Sequence, residues 1–348
     1  MNTFLTEKLN ERALPELRSR AEMLDLLLRE EYGYLPPKPT NMTFEVQENY
    51  IPNFCAGKAD AKKIIAKCVM GDKSFSFPFY AVIPVKEGKY PFFVHINFRD
   101  DVPDRYMPSE ELVDNGFAVF SFCYKDVTSD DGDFTNGLAG VLYENGKRNS
   151  ADAGKISMWA WAAHRVLDYA CLNSEKLDLE CAVVCGHSRL GKTALLTAAT
   201  DERFKFAYSN DSGCSGAAIF RGKEGETAEK IYNVFPYWFC ENFGKYGKDE
   251  SEMPFDQHYL LASIAPRFVC VGSATKDAWA DPVSEFLSCV AASMVFNKPL
   301  VCADRLPIVN DMWFDGDIGY HFREGLHYFG REDWLRLIEF IRLHQTIK

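Results

Sequence analysis

Residues 181–200 read CAVVCGHSRLGKTALLTAAT, an apolar run, a turn holding a serine between a histidine and an arginine, and then a run with helical spacing. Two chemistries use a strand, a tight glycine-containing turn and a helix in that order. In a nucleophile elbow, Ser188 sits on the bend with its hydroxyl raised above the carboxyl edge of a sheet. The amide of Arg189, at the helix start, then faces an oxyanion. Gly186 leaves room for the bend; the usual G-x-S-x-G pattern is altered, because Leu190 takes the last place and Gly191 follows it. In a phosphate loop, residues 186–193 match G-x-x-x-x-G-K-[ST] at every specified position, with Lys192 on phosphate and Thr193 on magnesium.

An elbow needs an acid and a histidine further along, in the order Ser, Asp/Glu, His. Four histidines follow Ser188. His258 precedes the apolar run RFVCVGSA, and His344 lies in the terminal helical run. His321 and His327, in GYHFREGLHYF, immediately precede that run, where a general base belongs. His321 reads as part of a strand, so His327, in the loop after Gly325, is the expected base. Three carboxylates compete to orient it. Asp277 follows the strand RFVCVGSA, Asp281 lies four residues on, and Asp211 ends the strand-like FKFAYSND. Asp281 is followed by Pro282, which also suits a helix cap with proline at the first helical position.

Elements to position these groups are legible in the chain. MTFEVQENY alternates as a strand, and AKKIIAKCVMGDKSFSFPFYAVIPV reads as a hairpin turning at Gly71-Asp72-Lys73. YPFFVHINF, GFAVFSFCY, LDLECAVVCG, FKFAYSND and RFVCVGSA are short apolar runs that alternate with helical segments, the pattern of right-handed βαβ crossovers and a mostly parallel sheet. Leu14, Leu17, Ala21, Leu24 and Leu28 predict one amphipathic helix near the start. The expectation is one α/β domain over residues 1–348, with a helical extension over 1–35 and a cap-like insertion at about 221–257. That insertion carries Phe235, Tyr237, Trp238, Phe239, Phe243 and Tyr246, whose faces could stack on a sugar.

Forty-seven per cent hydrophobic and 26% charged residues describe a folded globular chain. The net charge of −11 and the lack of a dense basic run argue against nucleic acid or anionic membranes as partners. No stretch reaches the roughly 18 apolar residues of a membrane span. The first residues lack the basic-then-apolar pattern of a signal peptide. Eleven cysteines, many in apolar runs, read as free thiols in a reducing cytoplasm. Cys181 and Cys185 have no second ligand pair, so neither zinc nor another metal is expected.

Together GHSRLGK, SNDSGCSGAA, DAWADP and GYHFREGLH resemble the glucuronoyl esterase family of carbohydrate esterases and its bacterial acetyl xylan esterase-like relatives, over about residues 80–345. The resemblance implies an α/β-hydrolase fold, a three-layer sandwich, no cofactor, and hydrolysis of a glucuronoyl or O-acetyl ester on a small or oligomeric plant cell-wall saccharide. It implies Ser188 as nucleophile, Arg189 as oxyanion stabiliser and Lys192 as a contact to sugar hydroxyls. Trp279 is implied as a stacking wall and Glu226 as a sugar-binding carboxylate. The acid is Asp277, from the D-x-W sequence, or alternatively Asp211, which stands where the family usually has glutamate. His187 replaces the family's usual cysteine. A second oxyanion donor is expected near Phe98. The competing readings are a nucleotide-binding enzyme built on residues 186–193 and a non-catalytic carbohydrate-binding relative. The first would need a second, Asp-ending strand for magnesium and leaves nearly half of the chain ahead of a loop that generally opens its domain.

Overall fold

The apolar runs become strands whose two faces are both covered. The computed structural model of the chain describes residues 3–345. Among those residues the strands are β1 (Asn41–Ile51), β2 (Ala59–Met70), β3 (Lys73–Pro84), β4 (Tyr90–Asn97), β5 (Ala118–Cys123), β6 (Leu177–His187), β7 (Phe206–Asn210), β8 (Phe268–Ala274), β9 (Met312–Trp313) and β10 (Ile318–Arg323). They form one sheet in the order β1-β2-β3-β5-β4-β6-β7-β8-β10-β9. From β5 to β10 neighbours run parallel, and the antiparallel pairs lie at the two edges. The hairpin turn falls where expected, with Met70 opposite Lys73.

The helices are α1 (Thr3–Arg12), α2 (Arg20–Leu27), α3 (Ser109–Asp114), α4 (Gly137–Leu142), α5 (Lys155–Leu172), α6 (Arg189–Thr200), α7 (Ala228–Val234), α8 (His258–Ala262), α9 (Pro282–Ala292) and α10 (Arg331–His344). Alternate residues of the central strands feed two separate cores, because successive side chains leave a strand on opposite faces. Phe92, Val94 and Ile96 of β4 join Trp159 of α5 and Leu195 of α6. Phe93, between them, joins Leu112 of α3 and Trp334 and Leu337 of α10 on the other face. Both faces being covered explains why these strands read as continuous apolar runs. The result is the three-layer α/β-hydrolase fold.

The single N-terminal helix expected is instead two, α1 and α2, and Leu14 and Leu17 lie in the non-helical stretch between them. Pro15 falls in that stretch, just after α1 stops at Arg12. The chain restarts as α2 after Ser19, whose side chain accepts from the Glu22 amide while Glu22 bonds back to the Ser19 amide. A π turn at Leu28–Tyr32 then carries Glu31 and Tyr32 into the interior. There Gln257 Nε2 donates to Glu31 Oε1 at 2.9 Å and Tyr32 Oη donates to the Ser215 carbonyl at 2.8 Å.

Residues 221–257 contain α7 and three short 3₁₀ turns. The ends of this insertion are tied together by a buried ion pair, Arg221 to Asp256, at 3.1 Å. Asp256 also accepts from the amides of Phe220 and Gln257, both at 2.7 Å. Inside the insertion Phe235 and Trp238 stack with centroids 3.9 Å apart.

Candidate active site

Strand β6 ends at His187 and α6 begins at Arg189, so Ser188 alone makes the bend. Its backbone has φ 56° and ψ −128°, a strained conformation for a non-glycine residue. Two glycines permit it. A Cβ on Gly186 would lie 2.2 Å from the Leu190 carbonyl oxygen, and one on Gly191 would press on Ser209 and Ser212 at 3.0 Å. Gly191 thus supplies the close helix-to-sheet approach although Leu190 breaks the usual spacing. The helix starts at Arg189, whose N–H is one of the first-turn amides that have no partner within the helix.

This geometry overturns the phosphate-loop reading. Gly186 belongs to β6, while Gly191, Lys192 and Thr193 lie inside α6. No loop remains to wrap a phosphate, and Thr193 Oγ1 donates back to the Arg189 carbonyl at 2.9 Å.

His327 lies in the loop between β10 and α10, half-exposed. Its Nδ1 and Asp277 Oδ2 are 2.6 Å apart. Neither Nε2 of His327 nor Oγ of Ser188 has a hydrogen-bond partner among the described residues. The loop is gripped from inside by Arg323, which donates to the carbonyls of Leu326, at 3.2 Å, and Tyr328, on either side of His327. The same guanidinium binds Asp333 at 2.6 Å and Asp211 at 3.0 Å.

Asp211 and Asp277 both approach the imidazole: one ligand atom from each of Asp211, Asp277 and His327 lies within 4.8 Å of the others. Their environments differ. Asp211 is buried with its Oδ2 on Arg323, and its Oδ1 has no partner among the described residues. Burial pushes its carboxyl well above the usual carboxylate range, although Arg323 opposes the shift. Two carboxylates and an imidazole are also the groups that bind a divalent cation. Here, however, Nδ1 and Asp277 are engaged with each other, and Arg323 already supplies a cation to Asp211. Asp281 is not at the site: it caps α9, accepting from Ser284 N at 3.1 Å and Ser284 Oγ at 2.5 Å.

The remaining histidines fall as expected. His321 is buried in β10 against the Tyr208 hydroxyl at 2.8 Å. His258 Nε2 is 3.0 Å from the Pro15 carbonyl, and His344 Nδ1 is 2.8 Å from the Phe340 carbonyl.

His187 lies beside the catalytic candidates, its ring centroid 4.3 Å from that of His327. Asn210 donates through Nδ2 to Asp333, so its Oδ1 faces His187 Nδ1 at 2.7 Å and assigns the proton to that nitrogen. Burial first, and the neighbouring His327 second, push the His187 imidazole well below its ordinary range.

Arg189 reaches Asp130, which also accepts from Tyr124 Oη at 2.8 Å and Trp238 Nε1 at 2.7 Å. The backbone donor expected near Phe98 is already in use, because Phe98 N donates to Asn97 Oδ1 at 2.8 Å. Lys192 also departs from expectation. It is buried and its ammonium donates to the carbonyls of Ser212 and Cys214, both at 2.5 Å. It thereby anchors the turn after Asp211, with Glu226 3.7 Å away. Trp279 is 55% exposed, consistent with a stacking surface, and Lys230 stands 5.3 Å from its ring centre.

Sequence reasoning missed four contributors: Asp130, Arg323, Asn210 and Glu285. Glu285 accepts from Gly213 N at 2.8 Å and from Ser273 Oγ at 2.5 Å, joining the turn after β7 to the end of β8. Each comes from a segment distant from Ser188, with no spacing that marks it. A cleft of about 1060 Å³ lies at the opposite end of the sheet, where β4 and β6 begin, and includes none of these residues.

The chain is similar to proteins described as carbohydrate esterases. A family profile described as glucuronyl esterase, fungi, matches residues 66–299. A carbohydrate esterase named MZ0003, from an unknown prokaryotic organism, is 37% identical over 242 residues, covering 68% of this chain and 56% of its own length. A 4-O-methyl-glucuronoyl methylesterase of Hypocrea jecorina is 28% identical over 286 residues, covering 80% and 56%. The chain therefore spans a little over half the length of these two curated relatives. Among solved structures, a glucuronoyl esterase from Solibacter usitatus superposes with a TM-score of 0.85 at 28% identity, covering 94% of this chain and 92% of that one. A CE15 esterase from a marine bacterial metagenome, described as promiscuous, gives 0.83 at 29% identity, covering 94% and 91%.

Proposed function

The chain belongs to the glucuronyl esterase family, and from that premise we propose that it is a serine carboxylic-ester hydrolase acting on glucuronoyl esters of plant cell-wall saccharides. The observation that carries the mechanism is the 2.6 Å contact between His327 Nδ1 and Asp277, in the loop beside the strained Ser188 bend. Asp277 holds the imidazole with its proton on Nδ1, leaving Nε2 to take the proton of Ser188 Oγ. The serine oxygen attacks the ester carbonyl carbon. The first-turn amide of α6 and the Arg189 guanidinium stabilise the oxygen that gains charge. Collapse of the tetrahedral intermediate expels the alcohol, which takes the proton from Nε2. Water then attacks the acyl-enzyme with the same histidine as base, releasing the uronic acid and restoring Ser188.

In this reading the sugar is the acyl part of the substrate. Exposed Trp279 offers it an apolar face, and Glu226 accepts from its hydroxyls. Lys192 acts indirectly, by fixing the turn that follows Asp211. The eleven cysteines, most of them buried, support a reducing compartment as the place of action.

Replacing Ser188 with Ala is expected to abolish hydrolysis of methyl glucuronate ester and covalent labelling by a fluorophosphonate, with the folded state retained. Wild-type protein that neither turns over the ester nor labels at Ser188 would instead indicate a non-catalytic carbohydrate-binding relative. Assaying an acetylated xylo-oligosaccharide in parallel decides whether O-acetyl esters are also substrates.

A further inference from the structure

Asp130 collects three donors from three separate parts of the chain: Arg189 beside the nucleophile, Tyr124 after β5, and Trp238 in the insertion. Its side chain is 7% exposed and that of Arg189 25%. The Arg189 guanidinium is flanked by aromatic rings, with the centres of Trp238, Phe235 and Phe98 at 4.7, 5.6 and 5.7 Å. Among the described residues the one carboxylate bonded to this cation is Asp130, in a setting that screens charge less than bulk water does.

The reaction changes the charge of what the site holds. The substrate ester is neutral at the reacting carbon. Adding water to the acyl-enzyme yields a carboxylic acid, whose proton leaves and whose two oxygens then share a full negative charge. An unbalanced guanidinium beside Ser188 would hold that anion more tightly than the ester from which it came. We propose that Asp130 balances the charge of Arg189 so that the guanidinium can hydrogen-bond a developing oxyanion yet releases the carboxylate product. This rests on the esterase reading above. Asp130 is accordingly a positioning and charge-balancing residue, joined through Trp238 to the insertion.

The experiment is inhibition of ester hydrolysis by D-glucuronate. In Asp130→Asn the inhibition constant is expected to fall by on the order of tenfold at low salt. That gap should narrow as salt is raised, while inhibition by neutral methyl glucoside stays as in the wild type. Tyr124→Phe removes a donor but keeps the carboxylate, and should leave glucuronate inhibition unchanged. If turnover in Asp130→Asn is too slow to inhibit, calorimetric binding of glucuronate to Ser188→Ala, with and without Asp130→Asn, reads the same difference. Equal affinity for glucuronate with and without Asp130, or an equal gain for the neutral glucoside, overturns the proposal and leaves the esterase reading intact. A wild-type protein with no ester turnover and no Ser188 labelling overturns both.

Discussion

Asp277 and Asp211 stand near one imidazole but in different company. Asp277 contacts His327 Nδ1, whereas Asp211 spends one oxygen on the Arg323 guanidinium and is buried more deeply. A carboxylate already paired with a permanent cation has less negative potential to offer an imidazolium. Asp277→Asn should therefore lower kcat by roughly a hundred- to ten-thousandfold, because the wrong imidazole tautomer is stabilised. Asp211→Asn should lower kcat less than tenfold and cost about 1–3 kcal/mol of stability through Arg323. Steady-state kinetics and urea unfolding on both variants check this, and the reverse order of kcat losses would make Asp211 the acid. His187 belongs to the same neighbourhood: a buried imidazole kept neutral beside His327 fills space without adding a competing charge.

Among the elements, the insertion is where local sequence says least and buried contacts say most. Its short turns have little helical length to stabilise them, since isolated turns are marginal without tertiary support. What holds it is the junction at its two ends, where Arg221 meets Asp256 and also donates to the carbonyls of Phe255 at 3.0 Å and Met253 at 2.6 Å. Asp256→Ala leaves that guanidinium buried without its counter-charge and removes the acceptor of three buried amides, those of Phe220, Arg221 and Gln257. A loss of about 3–5 kcal/mol in chemical denaturation is expected. Because Trp238 connects the insertion to Asp130 and so to Arg189, proteolytic nicking within residues 221–257 of the variant should accompany reduced ester turnover. A variant as stable and as protease-resistant as the wild type would show that the junction contributes little.

Over the whole molecule, the N-terminal helices are fastened to the rest of the chain through a buried polar network as well as through Leu5, Met23, Leu26 and Leu27 in the core. Glu31 lies at its centre, bonded to Gln257, which also reaches Tyr32. Burial raises the Glu31 carboxyl to about 8. Between about pH 4.5 and 8 the folded chain therefore keeps a proton there that the unfolded chain has released. Stability from this group is complete below about pH 4.5 and is lost as pH rises through 8. Glu31→Gln, which cannot ionise, should flatten that decline by on the order of 1–3 kcal/mol between pH 5 and pH 8. Guanidinium unfolding of both proteins at the two pH values measures it. Parallel pH dependence in wild type and variant would remove Glu31 from the account.

The sheet, the bend at Ser188 and the approach of His327 to Asp277 were readable because each leaves a mark along the chain. Apolar runs report strands buried on both faces, glycine spacing reports a tight turn, and chain order reports where a carboxylate and an imidazole can meet. Leu14 to Leu28 misled because hydrophobic spacing passes through Pro15 unchanged, while the backbone stops. Lys192 looked free to meet a sugar, yet its ammonium is consumed by two carbonyls that the fold brings to it. Asp130 was one of several acids in a polar segment until folding set it against Arg189, Tyr124 and Trp238. Residue type and spacing determined which groups are able to react. Which charges balance one another was decided only in three dimensions, because electrostatic pairing depends on distance through space and on burial, and neither is written along the chain.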